Sequence, residues 1–437
     1  MTRSWGVLGG GMLGMTLARE LRKQGFEVTL CEAAPEIGGL AGAWQLGDVV
    51  WDRHYHVTLL SDSALRGLLA ELGLEREIRW TETRTGFYSD GRLHSMSNSW
   101  EFVRFPPLGL LDKARLAFTI LYASRITDGR ELEDVSAEAW LTRLSGRRTF
   151  EKIWRPLLRS KLGDNAGIAS AAFIWATIRR MYAARREGLK KEMFGYVPGG
   201  YARILERFQQ SLLADGVTIK LSAAACQVRR EPDGGFEVRL ANGAAERFER
   251  VVLTMPGCVA ARLCGDLPEA ERAAWNAVRY QGIVCASVLL KKPLAGFYVT
   301  NITDAGLPFT GVIEMSALVD RAQFGGHSLV YLPRYLPSDH AAFGLPDQEW
   351  RAMFMAGLRR MYPAFEEDDV AAFRISRARR VFAIPSLHYS RNLPASRTSA
   401  PGLYILNSSH IVNGTLNVNE TIELARRGAR MLTAECA

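Results

Sequence analysis

The stretch "WGVLGGGMLGMTLARELRKQGFEVTLCE", residues 5–32, decides the fold. Residues 4–8 form a short apolar run that predicts a buried strand. Gly9, Gly11 and Gly14 then space out as G-x-G-x-x-G. Leu13, Leu17 and Leu21 recur every four residues, so a helix begins inside the motif and buries that face. Gly25 ends the helix, residues 26–30 alternate as a second strand, and Glu32 stands at its tip, about twenty residues beyond the glycines. Each part has a physical task. Gly9 permits a tight turn, Gly11 lets the backbone approach a pyrophosphate, and Gly14 lets helix and strand pack closely. The helix start at Met12 and Leu13 turns unpaired N–H groups and a partial positive charge toward phosphate. Glu32 can accept hydrogen bonds from ribose hydroxyls and would repel a 2′-phosphate. The stretch therefore predicts a dinucleotide site, with NAD and FAD both open at this point.

A second glycine turn, "GGLAG" at 38–42 (Gly38, Gly39, Leu40, Ala41), follows Glu32 after six residues. Such a turn suits a chain lying along the extended pyrophosphate of FAD. Together these segments resemble the superfamily of flavin-dependent amine oxidases, protoporphyrinogen oxidases and phytoene desaturases. Three later stretches carry the same resemblance. "GYVPGGYARILERFQQSLLADGVTIKLSAAACQVRR" (195–230) is similar to that family's return segment, which implies an adenine contact near Val228. "RVVLTMP" (250–256) is similar to the strand that closes the dinucleotide fold at Pro256. "GLYILNSSHIVNGTLNVNETIELARRGARML" (402–432) is similar to the C-terminal flavin segment. There the resemblance implies a helix N-terminus at Asn417, Val418 and Asn419 beneath the flavin ring, where it would stabilise negative charge on reduced flavin.

The resemblance implies an α/β (α+β) chain: a Rossmann-like FAD-binding domain interleaved with a mixed-sheet and helical substrate domain. Residues 1–95, 195–265 and 390–437 would form the first and 96–194 and 266–389 the second. Two departures stand out. The family's acidic residue in the C-terminal segment is replaced by Leu406-Asn407-Ser408, so Ser408 or Ser409 is expected to take its place. The lysine that amine oxidases carry near the flavin has no counterpart in "YQGIVCASVLLKK" (280–292) before Lys291. That weakens amine oxidation and leaves dehydrogenation of carbon–carbon bonds in play.

"WDRHYHVTLLSD" (51–62) is implied to pass the flavin ring. His54 and His56 alternate, so on a strand both would face one side, available as acid, base or hydrogen-bond donor near neutral pH. A packed core histidine is the competing reading for either. Arg53 is read as pairing with Asp52, with contact to flavin or an anionic substrate as the alternative. Tyr331, Arg334 and Tyr335 are candidates to line the substrate cavity.

The 437 residues carry a net charge of +9, with 48% hydrophobic and 23% charged residues, which is ordinary for a globular chain with a large core. The six cysteines lack CxxC spacing and read as reduced thiols, and no further cysteine or histidine cluster supports a metal site on the H-x-H pair. The densest basic cluster, Arg179, Arg180, Arg185, Arg186, Lys190 and Lys191, is read as a solvated helix face. Nucleic-acid binding is disfavoured because no recognition motif accompanies the charge. Residues 100–125 are apolar and aromatic. They are read as tunnel lining or core, with shallow docking on a membrane as the alternative.

The function expected is an FAD-dependent oxidoreductase moving a hydride from a C–H bond of a bulky, largely apolar small molecule to flavin N5. The alternatives are a non-redox isomerase resembling UDP-galactopyranose mutase, to which the basic clusters would offer a sugar-nucleotide site, and a non-catalytic flavin-binding subunit. The location expected is cytoplasmic, with peripheral contact at the inner face of a membrane as the variant.

Overall fold

The computed structural model describes residues 4–183 and 193–434. Five short strands make a parallel sheet in the order Thr218–Lys220, Glu27–Cys31, Ser4–Leu8, Arg250–Leu253, Leu403–Ile405. The opening motif supplies two neighbouring strands, and three distant segments complete the sheet. Both faces are covered, which is why these strands read as apolar runs. Trp5, Val7 and Val252 pack on one side with Leu17 and Leu21 of the helix Met12–Lys23, Phe208 of Gly200–Ala214 and Ile422 of Val418–Thr433. Leu8, Val251 and Leu253 pack on the other against the antiparallel layer Ala225–Arg230, Phe236–Leu240, Ala245–Phe248.

The second body is a seven-stranded sheet in the order Val370–Ala383, Tyr280–Leu290, Ser328–Pro337, Gly311–Glu314, Val299–Ile302, Thr85–Ser89, Arg92–Ser95. Tyr280–Leu290 is buried along its whole length. One face of this sheet packs on the helices between residues 110 and 183, the other on Asp347–Met361. Residues 85–95, assigned from sequence to the dinucleotide domain, hydrogen-bond into this sheet: Thr85–Ser89 runs parallel to Val299–Ile302 and antiparallel to Arg92–Ser95. Their partners lie two hundred residues away, which local pattern does not show.

Within the apolar stretch 100–125 the helix Leu110–Arg125 forms, and Ser136 caps Ala137–Ser145 by accepting from the Ala139 N–H at 3.1 Å. The basic cluster divides. Arg179 stacks over Trp175, while Arg180 forms a largely buried ion pair with Asp62 at 2.9 Å, contrary to a solvated face. Arg185, Arg186, Lys190 and Lys191 lie outside the described residues. No described helix is long and apolar enough to cross a membrane.

Candidate active site

The glycine turns meet as the spacing requires. A Cβ on Gly14 would lie 1.9 Å from the Gly9 carbonyl oxygen, so only glycine allows helix and turn to approach this closely. A Cβ on Gly11 would meet nothing within 4 Å, so the space in front of it is open. Gly11 is the N-cap of Met12–Lys23 and no side chain caps that helix, which leaves the N–H groups of Met12 and Leu13 toward the same space. Gly38 bridges to Gly11, and its N–H donates to the Gly10 carbonyl at 2.8 Å. Gly39, at φ +55°, brings its own backbone within about one methyl group of Gly11. Glu32 folds over the turn and accepts from the N–H groups of Gly10 and Ala34. An open, donor-lined cradle between two glycine turns fits a pyrophosphate, and its length of chain fits FAD.

The remaining expected positions take the following places in the fold. Ala41 is buried behind the second turn. Val228 is a buried residue on the edge strand of the antiparallel layer. Pro256 caps the helix Gly257–Leu263. Asn417 caps Val418–Thr433, accepting from the Glu420 N–H at 3.0 Å. Arg53 does not pair with Asp52. Its guanidinium lies over Trp44, with a buried Nε that has no partner among the described residues, and so it stays available to an anion.

Several expectations need correction. The strand Val49–Asp52 ends before the histidines, so they do not share a face. His54 is held at both nitrogens, Nδ1 to the Leu40 carbonyl at 3.2 Å and Nε2 to Ser376 Oγ at 2.8 Å. Burial, with His56 and Arg53 nearby, pushes its pKa down to about 4, so it is neutral and buttresses the second glycine turn. His56 points elsewhere. Its ring leans on Tyr201, and Nδ1 lies 3.8 Å from the Asp52 carboxylate without a hydrogen bond. Ser409 is buried, and its hydroxyl donates to Asn407 Oδ1 at 2.6 Å. Asn407 also donates to the Met255 carbonyl and so ties the C-terminal segment to the end of the closing strand. Ser408 lines the cleft instead. Asn419 caps the helix Ser63–Glu71, its Oδ1 accepting from the N–H groups of Ala64 and Leu65, so its side chain is not offered to a ligand.

One face of the large sheet docks on residues 52–55. Tyr331 donates to the Asp52 carbonyl, Ser376 meets His54, and Tyr335 meets Tyr55 at 2.9 Å. Lys161 donates to the same Tyr335 hydroxyl at 2.6 Å. Burial raises the phenol pKa of Tyr55, Tyr331 and Tyr335, which stay protonated. Beside this contact lies a narrow cleft of about 30 Å³ and mixed polarity, lined by Phe173, Phe382, Tyr389, Ser408, Ile411 and Leu416. Lys161 escapes sequence reading because nothing in "KIWRPLLRSKLGD" separates it from any other cation on an amphipathic helix.

Comparison with known proteins agrees with this geometry. The model of flavin-containing amine oxidoreductases matches residues 13–430. Coproporphyrinogen III oxidase of Mycobacterium tuberculosis is 26% identical over 306 residues, which is 65% of this chain and 66% of that protein, just under two thirds. Zeta-carotene desaturase of Zea mays is 27% identical over 224 residues, covering 45% and 38% of the two chains. The crystal structure of a candidate protoporphyrinogen oxidase from Exiguobacterium sp. 255-15 superposes with a TM-score of 0.78 at 17% identity, covering 100% of this chain and 99% of that one.

Proposed function

The chain belongs to the family of flavin-containing amine oxidoreductases, with FAD as the cofactor its glycine cradle fits, and from that premise we propose that it oxidises a C–H bond of a bulky, largely apolar small molecule. The bound flavin supplies the hydride acceptor. The chain's own residues supply placement, charge and exclusion of water. The Met12–Lys23 helix start and Arg53 hold negative charge on the cofactor. The N-terminus of Val418–Thr433 favours negative charge at the opposite end. Apolar side chains beside Ser408, Phe382 and Leu416 among them, are assigned to contact with the substrate body. Neutral His54 is assigned the support of the second glycine turn.

The observation that carries this reading is the meeting of the two glycine turns in an open, donor-lined cradle, in a chain whose family match spans residues 13–430. Anaerobic mixing of the holoprotein with a porphyrinogen, a polyene and an amine tests it. Bleaching of the flavin by one of the first two is expected. A yellow protein that dithionite reduces but none of these donors does would contradict it. The isomerase alternative loses one of the cations that favoured it, since Arg180 is paired with Asp62.

A lipophilic substrate also gives meaning to one surface. Trp100 (62% exposed), Leu110 (77%), Leu111 (64%) and Phe118 (55%) project from the helices Ser99–Arg104 and Leu110–Arg125, among Arg104, Lys113 and Arg125. Apolar tips ringed by cations suit shallow insertion into an anionic bilayer surface. Co-sedimentation with phosphatidylglycerol vesicles is expected, and is lost in the double variant Leu110→Glu, Leu111→Glu. Equal recovery of both proteins in the supernatant would contradict it.

A further inference from the structure

We propose that Lys161, acting through Tyr335, makes the Tyr55 hydroxyl a hydrogen-bond donor aimed at the substrate, and that the substrate presents a carboxylate to it. This rests on the oxidoreductase reading above and narrows its substrate to an apolar body with an anionic head. An ammonium group has three N–H donors and no acceptor, so the Tyr335 oxygen must accept from Lys161. Tyr335 is buried, and among the described residues its other hydroxyl partner is Tyr55. Its single proton therefore goes to Tyr55, because leaving it orphaned would cost the full desolvation of a donor. The Tyr55 oxygen then accepts, and its own proton is left over. Tyr55 is only half-buried, so this end of the chain is the accessible one.

Two further observations set the sign of the ligand. Gln281 lies on the same sheet face: Ile283 pairs with Tyr335, and Gln281 with Pro337 one step along. Its side chain is fully buried, Asn165 donates to its Oε1 at 3.2 Å, and its Nε2 has no partner among the described residues. Lys161 stands over the rings of Tyr335 (4.1 Å) and Phe382 (5.5 Å), and no described carboxylate lies within ion-pair distance of it. Phe382 is also a wall of the cleft. Two donors without a partner among the described residues, the Tyr55 proton and Gln281 Nε2, thus share this sheet face with a positive charge. A carboxylate, an acceptor at every lone pair, satisfies them. A protonated amine would meet donors and like charge. Lys161 and Tyr335 are positioning residues, and Tyr55 is the binding residue.

The test uses the holoprotein and three probes of one shape: benzoate, benzyl alcohol and benzylamine, each titrated against the flavin absorbance. Benzoate is expected to bind and benzylamine not to compete with it. Lys161→Met should weaken benzoate about tenfold and leave benzyl alcohol unchanged. Tyr335→Phe, which keeps the lysine but cuts the chain, should do the same, and Lys161→Arg should restore much of the loss. Retained flavin content and melting temperature in Tyr335→Phe separate positioning from folding. Benzoate binding that neither variant weakens, benzylamine binding tighter than benzoate, or a yellow protein that binds no probe would each overturn the proposal. A colourless protein would overturn it together with the oxidoreductase reading.

Discussion

The cofactor cradle and the substrate wall are built on opposite principles. In the cradle, residues 9–14 and 38–42 act through backbone, and the side chain that matters most is one that is missing. A methyl on Gly14 would strike the Gly9 carbonyl, whereas one on Gly11 would enter open space. In the wall, Tyr55, Lys161, Tyr335 and Ser376 act through side chains gathered from four distant elements. The difference teaches that local motifs encode where a cofactor's constant part sits, and topology alone assembles the part that meets a variable substrate.

Four substitutions sharpen or break this contrast, in order of their effect on stability. Gly14→Ala forces two backbone segments apart and is expected to cost at least about 2 kcal/mol and to empty the cradle. Thermal unfolding and flavin content after gel filtration read both losses. Unchanged values would show that the close approach is not needed.

His54 carries the pH dependence. Its pKa in the folded chain, about 4, lies below the ordinary 6.5, so the unfolded state binds the extra proton between those values. Stability is therefore full above about pH 6.5 and falls as pH drops toward 4 and below, by roughly 3 kcal/mol in all. Urea unfolding at pH 7 and pH 4.5 should show this loss in the parent and a shallower one in His54→Gln. Equal slopes would place the acid sensitivity elsewhere.

Asn419→Ala removes the cap on Ala64 and Leu65 and should cost about 1–2 kcal/mol with flavin content retained. A pale but stable protein would instead return Asn419 to the cofactor. Gly11→Ala is the mildest for the fold, within about 1 kcal/mol of the parent. Yet it should lower FAD affinity tenfold or more, about 1.4 kcal/mol per decade, because its methyl enters the space kept for phosphate. Equal loss of fold and flavin in Gly11→Ala and Gly14→Ala would erase the distinction between the two glycines.

These expectations follow the line between what was legible in the sequence and what was not. The strand, helix, second strand and acidic tip of residues 4–32 lie where periodicity puts them, because each is specified by neighbours within four residues. The histidines misled because alternation implies a shared face only on a strand, and the strand stops at Asp52. Residues 85–95 joined the other sheet through pairing with residues 299–302. Lys161 was invisible because its partner is 174 residues away.

The most direct measurement is the visible absorbance of the purified chain before and after incubation with FAD, read beside Gly11→Ala. The account predicts a yellow parent holding one FAD per chain and a folded variant that stays nearly colourless at the same FAD concentration. A colourless parent, or a variant as yellow as the parent, would contradict it.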